Sequence, residues 1–296
     1  MPPSVLALFG PTGVGKTALA LALADRLRAR GERPVAVSAD ALQVYKGLET
    51  LTGVATPAER AHLEHRLVAF VDVTETFSVG RFSPLAHAEI DGLLAEGATP
   101  IVVGGTGLYL RAALADLDLR PEPPPGLRVS ILERVEREGA EALHAALVRR
   151  APWTARTVRP SDTHRLVRTL ELEALGVLAP PRAESQLWTA ATRHPTRIVA
   201  CVMERGALDA AIDARVARML AAGAAEEVRR ADAAGASATA RKALGFEELL
   251  RGDADAMAGR TRRYARRQLT WLRKLPGVEA VDITRRSPAD VAGELL

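Results

Sequence analysis

Short apolar runs alternate with longer amphipathic stretches along most of the chain. Val5–Phe9, Arg33–Ser38, Leu67–Val71, Ile101–Val103 and Arg197–Val202 read as strands, the first of them apolar throughout, as a strand covered on both faces must be. Between them, Ala18–Leu27 is an alanine- and leucine-rich helix, and Ser78–Ala95 is a second helix with Ser78 as its cap. A further helix follows Val103 and its glycines and runs through Leu114. Residues 46–62, with Gly47, Gly53 and Pro57, read as loop. This alternation predicts an α/β fold with a parallel sheet flanked by helices. Towards the C-terminus the pattern predicts a long helix over Leu208–Ala233 with Gly223 inside it, then helices over Lys242–Leu250 and Arg262–Leu275. An edge strand over Val278–Ile283 and a helical tail complete the pattern.

One boundary interrupts this order. Arg120-Pro121-Glu122-Pro123-Pro124-Pro125-Gly126 can be neither helix nor interior strand. Beyond it, residues 127–190 show helical periodicity and almost no strand signal, and Pro180-Pro181 and His194-Pro195 punctuate the return. The predicted organisation is a core built from 1–120 and 196–296, with an all-helical insertion over 121–195. There is no internal repeat and no low-complexity linker.

Composition narrows the picture. Of 296 residues, 48% are hydrophobic, enough for a packed core. No apolar run approaches the ~20 residues of a membrane span. Met1-Pro2-Pro3-Ser4 leads directly into the first strand, which leaves no room for a signal peptide. The one cysteine, Cys201, allows neither an intramolecular disulfide nor a cysteine zinc site. A cytoplasmic monomer is the expectation. The net charge is only +4, and lysine occurs only at Lys16, Lys46, Lys242 and Lys274. Arginine supplies nearly all the positive charge, clustered at Arg260, Arg262, Arg263, Arg266, Arg267 and Arg273 beside Lys274. An abundance of arginine can reflect codon usage, so the clustering carries more weight than the total.

The most specific chemistry lies between the first strand and the first helix. Gly10-Pro11-Thr12-Gly13-Val14-Gly15-Lys16-Thr17 satisfies G-x-x-x-x-G-K-[ST] in the strand–loop–helix context that motif requires. The glycines let successive N–H groups turn inward, and the helix aims its positive end at the same point. Lys16 adds a charge for outer phosphate oxygens, and the Thr17 hydroxyl is placed to join the shell of a magnesium ion. The segment is a phosphate-binding loop for a diphosphate or nucleotide, in a core like that of P-loop nucleoside-triphosphate hydrolases.

Two further positions belong at the same crevice, because ligands in such sheets bind beyond the carboxyl ends of the strands. Asp40 follows the second strand, where a helix cap or turn is the alternative reading. After the fourth strand come Gly104-Gly105-Thr106-Gly107, where a kinase or nucleotide hydrolase often has an aspartate for magnesium. His62 and His65 have no third ligand nearby and read as solvated or packing residues. Arg165 and Arg168, three apart, share one helix face, and a solvated face is the alternative there.

Together these segments resemble the tRNA dimethylallyltransferases, or tRNA isopentenyltransferases. The resemblance covers most of the chain and rests on Gly10–Thr17, Asp40–Gly47, Val103–Leu110, His164–Glu171, Arg241–Glu248 and Thr261–Arg273, in that order. It implies transfer of a dimethylallyl group from dimethylallyl diphosphate to N6 of adenosine-37. This base lies just 3′ of the anticodon in tRNAs reading codons that start with U, and the product is N6-(dimethylallyl)adenosine. It also implies that Asp40 is the general base, that Thr106 donates to the bridging or leaving oxygen, and that Mg2+ accompanies the diphosphate. Arg215 is a further candidate for holding the diphosphate. By the same resemblance the tRNA anticodon stem-loop is contacted at Asp40, Ala41, Leu42, Gln43, Thr106, Arg128, His164, Arg165, Leu166, Val167 and Arg168. Arg241, Lys242, Ala243, Leu244, Gly245 and Phe246 complete that set. Gln43 is expected to bond loop bases, and the basic C-terminal helix to track phosphates with salt-sensitive affinity.

The chain departs from the family pattern in places. Thr52-Gly53-Val54-Ala55-Thr56-Pro57 stands where G-T-A-K-P is usual, Phe246 replaces a tyrosine, and Glu247 replaces a basic residue. The C-terminal zinc finger of larger eukaryotic members is absent. Three rivals remain at this stage: a small-molecule P-loop kinase, an adenylate isopentenyltransferase acting on free nucleotide, and a non-catalytic nucleotide-gated RNA-binding protein. The missing metal aspartate opposes the kinase, and the helical insertion and the basic C-terminal helix oppose the free-nucleotide enzyme. The third rival leaves the pairing of Asp40 with Thr106 unexplained.

Overall fold

A computed structural model describes residues 5–180 and 186–296. The opening Met1–Ser4 and the punctuation at Pro181 lie outside the described residues. The chain divides into two compact units, one combining the stretch that ends at Leu117 with Leu187–Leu296, the other comprising Asp118–Gln186. Residues 187–195, read from the sequence as insertion, fall with the sheet-bearing unit.

That unit begins β1 (Val5–Phe9), α1 (Lys16–Ala29), β2 (Pro34–Ser38), α2 (Glu49–Thr52), α3 (Pro57–His62), β3 (His65–Arg66), α4 (Val79–Ala95), β4 (Thr99–Gly104) and α5 (Gly107–Leu114). The second unit supplies α6 (Leu127–Glu138), α7 (Ala140–Arg150), α8 (Thr154–Thr157) and α9 (Thr163–Ala174). The chain then returns through β5 (Thr196–Val202), α10 (Arg205–Ala221), α11 (Ala224–Ala233), α12 (Phe246–Leu250), α13 (Ala254–Leu272), β6 (Val278–Asp282) and α14 (Pro288–Leu295). Among the described residues the strands form one sheet in the order β3-β2-β4-β1-β5-β6, and each adjacent pair is parallel.

β4 and β5 pair with both edges of β1, helices cover both its faces, and every residue of it is buried. One face joins Val5, Ala7 and Phe9 to the core beneath α4 and α5, while Leu6 and Leu8 pack with Leu19, Leu23 and Leu27 of α1. The second unit has a core of its own in Ile131, Leu143, Leu147, Val158, Leu166, Val167 and Leu170. No helix among the described residues is long and apolar enough to cross a membrane.

Several expectations need correction. The third strand is His65–Arg66, not Leu67–Val71. Leu67 and Ala69 take φ of 59° and 49°, which ends the extended run, and only an isolated bridge from Tyr45 to Val71 persists. The loop over 46–62 contains α2 and α3, the latter entered through a capping box from Thr56 to Glu59. The long helix breaks at Gly223, whose φ of 90° ends α10 and admits α11. Lys242–Leu250 splits likewise into a short turn at Ala240–Lys242 and α12, with Gly245 at φ 98° between them. The basic helix starts earlier than expected, at Ala254, capped by the Asp253 side chain.

The strand ends meet without room for side chains. A Cβ on Gly104 would sit 2.4 Å from the Ala39 carbonyl oxygen and 3.0 Å from the Ala39 Cβ. Overpacking of this kind costs about 1–3 kcal/mol. Gly104→Ala should therefore lower unfolding stability by about that amount in urea titration. An unchanged midpoint would mean that β2 and β4 separate more easily than their register implies.

Candidate active site

The phosphate loop turns between β1 and α1 with Gly13 at φ 84° and Gly15, the cap of α1, at φ 97°. Thr12 and Gly13 are partly exposed and Gly15 exposed, while Pro11 and Val14 are buried. A Cβ on Gly10 would lie 2.7 Å from the Cys201 carbonyl oxygen, so β1 and β5 can pass into the loop only with glycine there. Lys16 folds back over the loop, donating to the carbonyls of Gly10 and Pro11 at 2.9 Å each. An ammonium has three donors, so one remains for an incoming anion. Burial lowers the Lys16 pKa to about 8; the nearby Arg215 guanidinium pushes it the same way, while Cys201 and Asp40 oppose the shift. Burial also raises the Cys201 thiol to about 11, in keeping with a core residue.

Asp40, just past β2, bends its Oδ1 back to accept from the Leu42 amide at 2.9 Å. The turn reading is thus correct for one oxygen, and the other is not engaged by any hydrogen bond among the described residues. The charge of Asp40 is felt at Lys16, Arg215 and Tyr264. Arg215, on α10, reaches the Thr52 carbonyl at 3.3 Å and fills the space beside Gly53, where a Cβ would meet its Nη2 at 2.0 Å. The divergent Thr52-Gly53 pair is therefore the surface on which the arginine lies.

Thr106 caps α5 beyond β4, and its hydroxyl lies 3.3 Å from the Tyr264 hydroxyl of α13. Burial, with Asp40 repelling the phenolate, pushes Tyr264 up to about 12. Tyr264 is accordingly neutral and hydrogen-bonding at ordinary pH. Three turns of α13 place Thr261, Ala265 and Gln268 on the buried side, with Tyr264 and Trp271 beside them. Tyr264 and Gln268 were legible only as members of a basic motif. Their signal was a polar pair four apart on the side of an amphipathic helix that otherwise faces the core.

Other expected contacts are spent internally. The Gln43 amide accepts from the Ser38 hydroxyl at 2.9 Å and donates to the Gly53 carbonyl at 3.0 Å, so its polar ends serve the loop that backs Arg215. Ala41 and Leu42 are partly buried beside it. Leu166, Val167, Ala243 and Phe246 are at most 1% exposed, and their side chains support a surface without forming it. In the second unit, Arg128 and Arg168 flank the buried Glu171 at 3.0 and 3.1 Å. Arg165 pairs with Asp162, while His164 is exposed. Arg241 pairs with Asp232 and Glu247 and stacks over Phe246, which explains an acidic residue at 247. Lys242 is exposed, with Leu244 and Gly245 beside the turn that Gly245 makes into α12.

Magnesium is tested by the donors on offer. Among the described residues no cluster of three or more His, Cys, Asp or Glu side chains could hold a metal by itself. The Thr17 hydroxyl, in the first turn of α1, makes no hydrogen bond among the described residues, and Thr17 is partly exposed. One hydroxyl suits an ion that arrives with phosphate oxygens and keeps its waters, as magnesium does.

A glycine-rich phosphate loop in a parallel sheet, with a carboxylate and a hydroxyl at neighbouring strand ends, defines a P-loop-type α/β protein. The IPP transferase family model matches residues 43–275, and an isopentenyl transferase model matches residues 3–82. The tRNA dimethylallyltransferase of Kineococcus radiotolerans is 38% identical over 99% of this chain and 95% of its own. That of Anaeromyxobacter sp. strain K is 41% identical over 93% and 91% respectively. The tRNA isopentenylpyrophosphate transferase structure from Bacillus halodurans superposes with a TM-score of 0.70 at 29% identity, covering 99% of this chain and 94% of that one. A eukaryotic dimethylallyltransferase acting on tRNA, 23% identical over 99% of this chain and 77% of its own, shares the fold with a TM-score of 0.76. The chain belongs to the IPP transferase family, that of the tRNA dimethylallyltransferases, and is a prenyltransferase.

The lowered Lys16 pKa makes anion binding proton-linked. A bound diphosphate raises that pKa, so above pH 8 binding takes up a proton and weakens as pH rises. Calorimetry with inorganic diphosphate at pH 8.5 in two buffers should show more proton uptake per anion bound in the parent protein than in Lys16→Met, the ligand's own ionisation being common to both. The affinity of Lys16→Met should fall about tenfold, as expected for losing one charged hydrogen bond. An equal proton change in both proteins would place the anion elsewhere.

Proposed function

We propose that the protein transfers the dimethylallyl group of dimethylallyl diphosphate to N6 of adenosine-37, beside the anticodon of tRNAs that read codons starting with U. The products are N6-(dimethylallyl)adenosine and diphosphate. The observation that carries this reading is the convergence of the phosphate loop, Asp40 and Thr106 at the ends of three adjacent strands, β1, β2 and β4.

The loop amides, the α1 N-terminus, Lys16 and Arg215 hold the diphosphate. The Thr17 hydroxyl would help hold a magnesium ion, which would supply charge stabilisation for the leaving group. The Thr106 hydroxyl donates to the bridging oxygen as the carbon–oxygen bond breaks and its electron pair moves onto that oxygen. The exocyclic amine of adenosine forms the new carbon–nitrogen bond and gives a proton to Asp40, whose second oxygen accepts no hydrogen bond among the described residues. The acceptor base leaves its stack to reach this crevice. Arg263, Arg266 and Arg267 on α13 are exposed and make no ion pair among the described residues, which suits backbone phosphates. Arg165, Arg168, Arg128, Arg241 and Lys242 supply further basic positions for the anticodon stem-loop.

Unmodified tRNA incubated with magnesium and dimethylallyl diphosphate, then digested, should yield a prenylated adenosine by mass spectrometry that maps beside the anticodon. Asp40→Asn should lower turnover at least about a hundredfold, the usual scale for a general base, while tRNA affinity stays within about twofold. Thr106→Ala should lose a similar factor in kcat, as removal of one oxyanion donor does. ATP turnover with a small acceptor and no tRNA product would restore the kinase reading.

A further inference from the structure

α13 was expected to track RNA phosphates, yet its inner face is occupied with the catalytic loops. Gln268 is only 5% exposed, and both ends of its amide are spent on backbone. Its Oε1 accepts from the Thr12 amide of the phosphate loop at 2.9 Å, and its Nε2 donates to the Gly105 carbonyl at 2.7 Å. The two loops are otherwise separate in sequence and belong to different strands. The same stretch of helix sets the rest of the second loop: the Tyr264 hydroxyl meets Thr106, and the Trp271 ring lies where a Cβ on Gly107 would come within 2.2 Å. Gly105 fits the same mould, since a Cβ there would meet the Gln268 Nε2 at 2.4 Å. Of these side chains, Gln268 alone also bonds to the phosphate loop.

We propose that Gln268 is a positioning residue that fixes the spacing between the diphosphate cradle and the Thr106 hydroxyl. The proposal rests on the reading of Thr106 and the loop given above. By engaging the Thr12 N–H, Gln268 removes that amide from the phosphate donors and leaves the cradle to the residues from Gly13 onward. By engaging the Gly105 carbonyl, it fixes the residue before Thr106. A buried amide satisfied at both ends is held in one orientation, because leaving either end unpaired costs more than the bond itself contributes. A diphosphate seated by one loop therefore meets the hydroxyl of the other at a set distance. Misplacement of reacting groups by about 1 Å is enough to cost about a hundredfold in rate.

Gln268→Met keeps length and packing but removes both hydrogen bonds. In the full-length protein its kcat for tRNA prenylation should fall about a hundredfold, with KM for dimethylallyl diphosphate changed less than about fivefold and tRNA affinity unchanged. Hydrogen exchange should quicken at both loops, residues 10–13 and 105–108, and not across the sheet. Gln268→Asn keeps an amide too short to span both partners. It should lose at least tenfold in kcat, and it decides the matter if the methionine variant does not fold. A kcat within threefold of the parent, or exchange that quickens at one loop only, would overturn the proposal. Failure of the parent protein to prenylate tRNA would sink the reading of the reaction instead. The exchange comparison would still decide whether Gln268 couples the loops.

Discussion

The site depends on backbones meeting without side chains at the carboxyl ends of the strands. Gly10 passes against the Cys201 carbonyl, Gly104 against the Ala39 carbonyl, and a Cβ on Gly105 would come within 3.2 Å of the Gly10 carbonyl. Parallel order places β2, β4, β1 and β5 side by side, so their following loops share one crevice. Any larger residue at those glycines would drive the loops apart. The remaining features of the site follow from that closeness: a lysine can fold over its own loop, an aspartate can be felt by two cations, and one glutamine can span two loops.

The electrostatics of the crevice favour an incoming anion. Lys16 and Arg215 are both shifted downward by burial, and each lowers its charged-state stability in the absence of a close counter-charge. Asp40 offsets part of this, yet it forms no ion pair with either of them among the described residues. In the proposed reaction a diphosphate would relieve both cations at once, leaving Asp40, the proposed proton acceptor, without a strong partner.

Much of this was legible in the sequence. The loop Gly10–Thr17 declares itself because its spacing has one physical use, and strands with apolar runs on both faces require a parallel sheet. The Pro-rich segment before Leu127 marked the start of the second unit. Other features were hidden because they depend on tertiary contacts. Nothing local distinguishes the Gln43 amide, which bonds within its own loop, from one free to meet a base. Leu166 and Val167 share a motif with Arg165 and Arg168, but helical geometry turns the apolar pair inward, leaves Arg165 exposed and sets Arg168 against the buried Glu171. Gly223 looked tolerable inside a helix, whereas its positive φ ends one. The role of Gln268 depends on two loops more than a hundred and fifty residues away in sequence, and no reading of α13 alone reveals it.

The proposed reaction requires one crevice to hold the diphosphate, the proton acceptor and the leaving-group donor together. A crystal structure with magnesium and an unreactive thio-analogue of dimethylallyl diphosphate tests this. Phosphate oxygens should lie on the amides from Gly13 to Thr17 and on the Lys16 ammonium, with the allylic carbon between Asp40 and Thr106. A diphosphate bound on the exposed arginines of α13, with the phosphate loop empty, would contradict it.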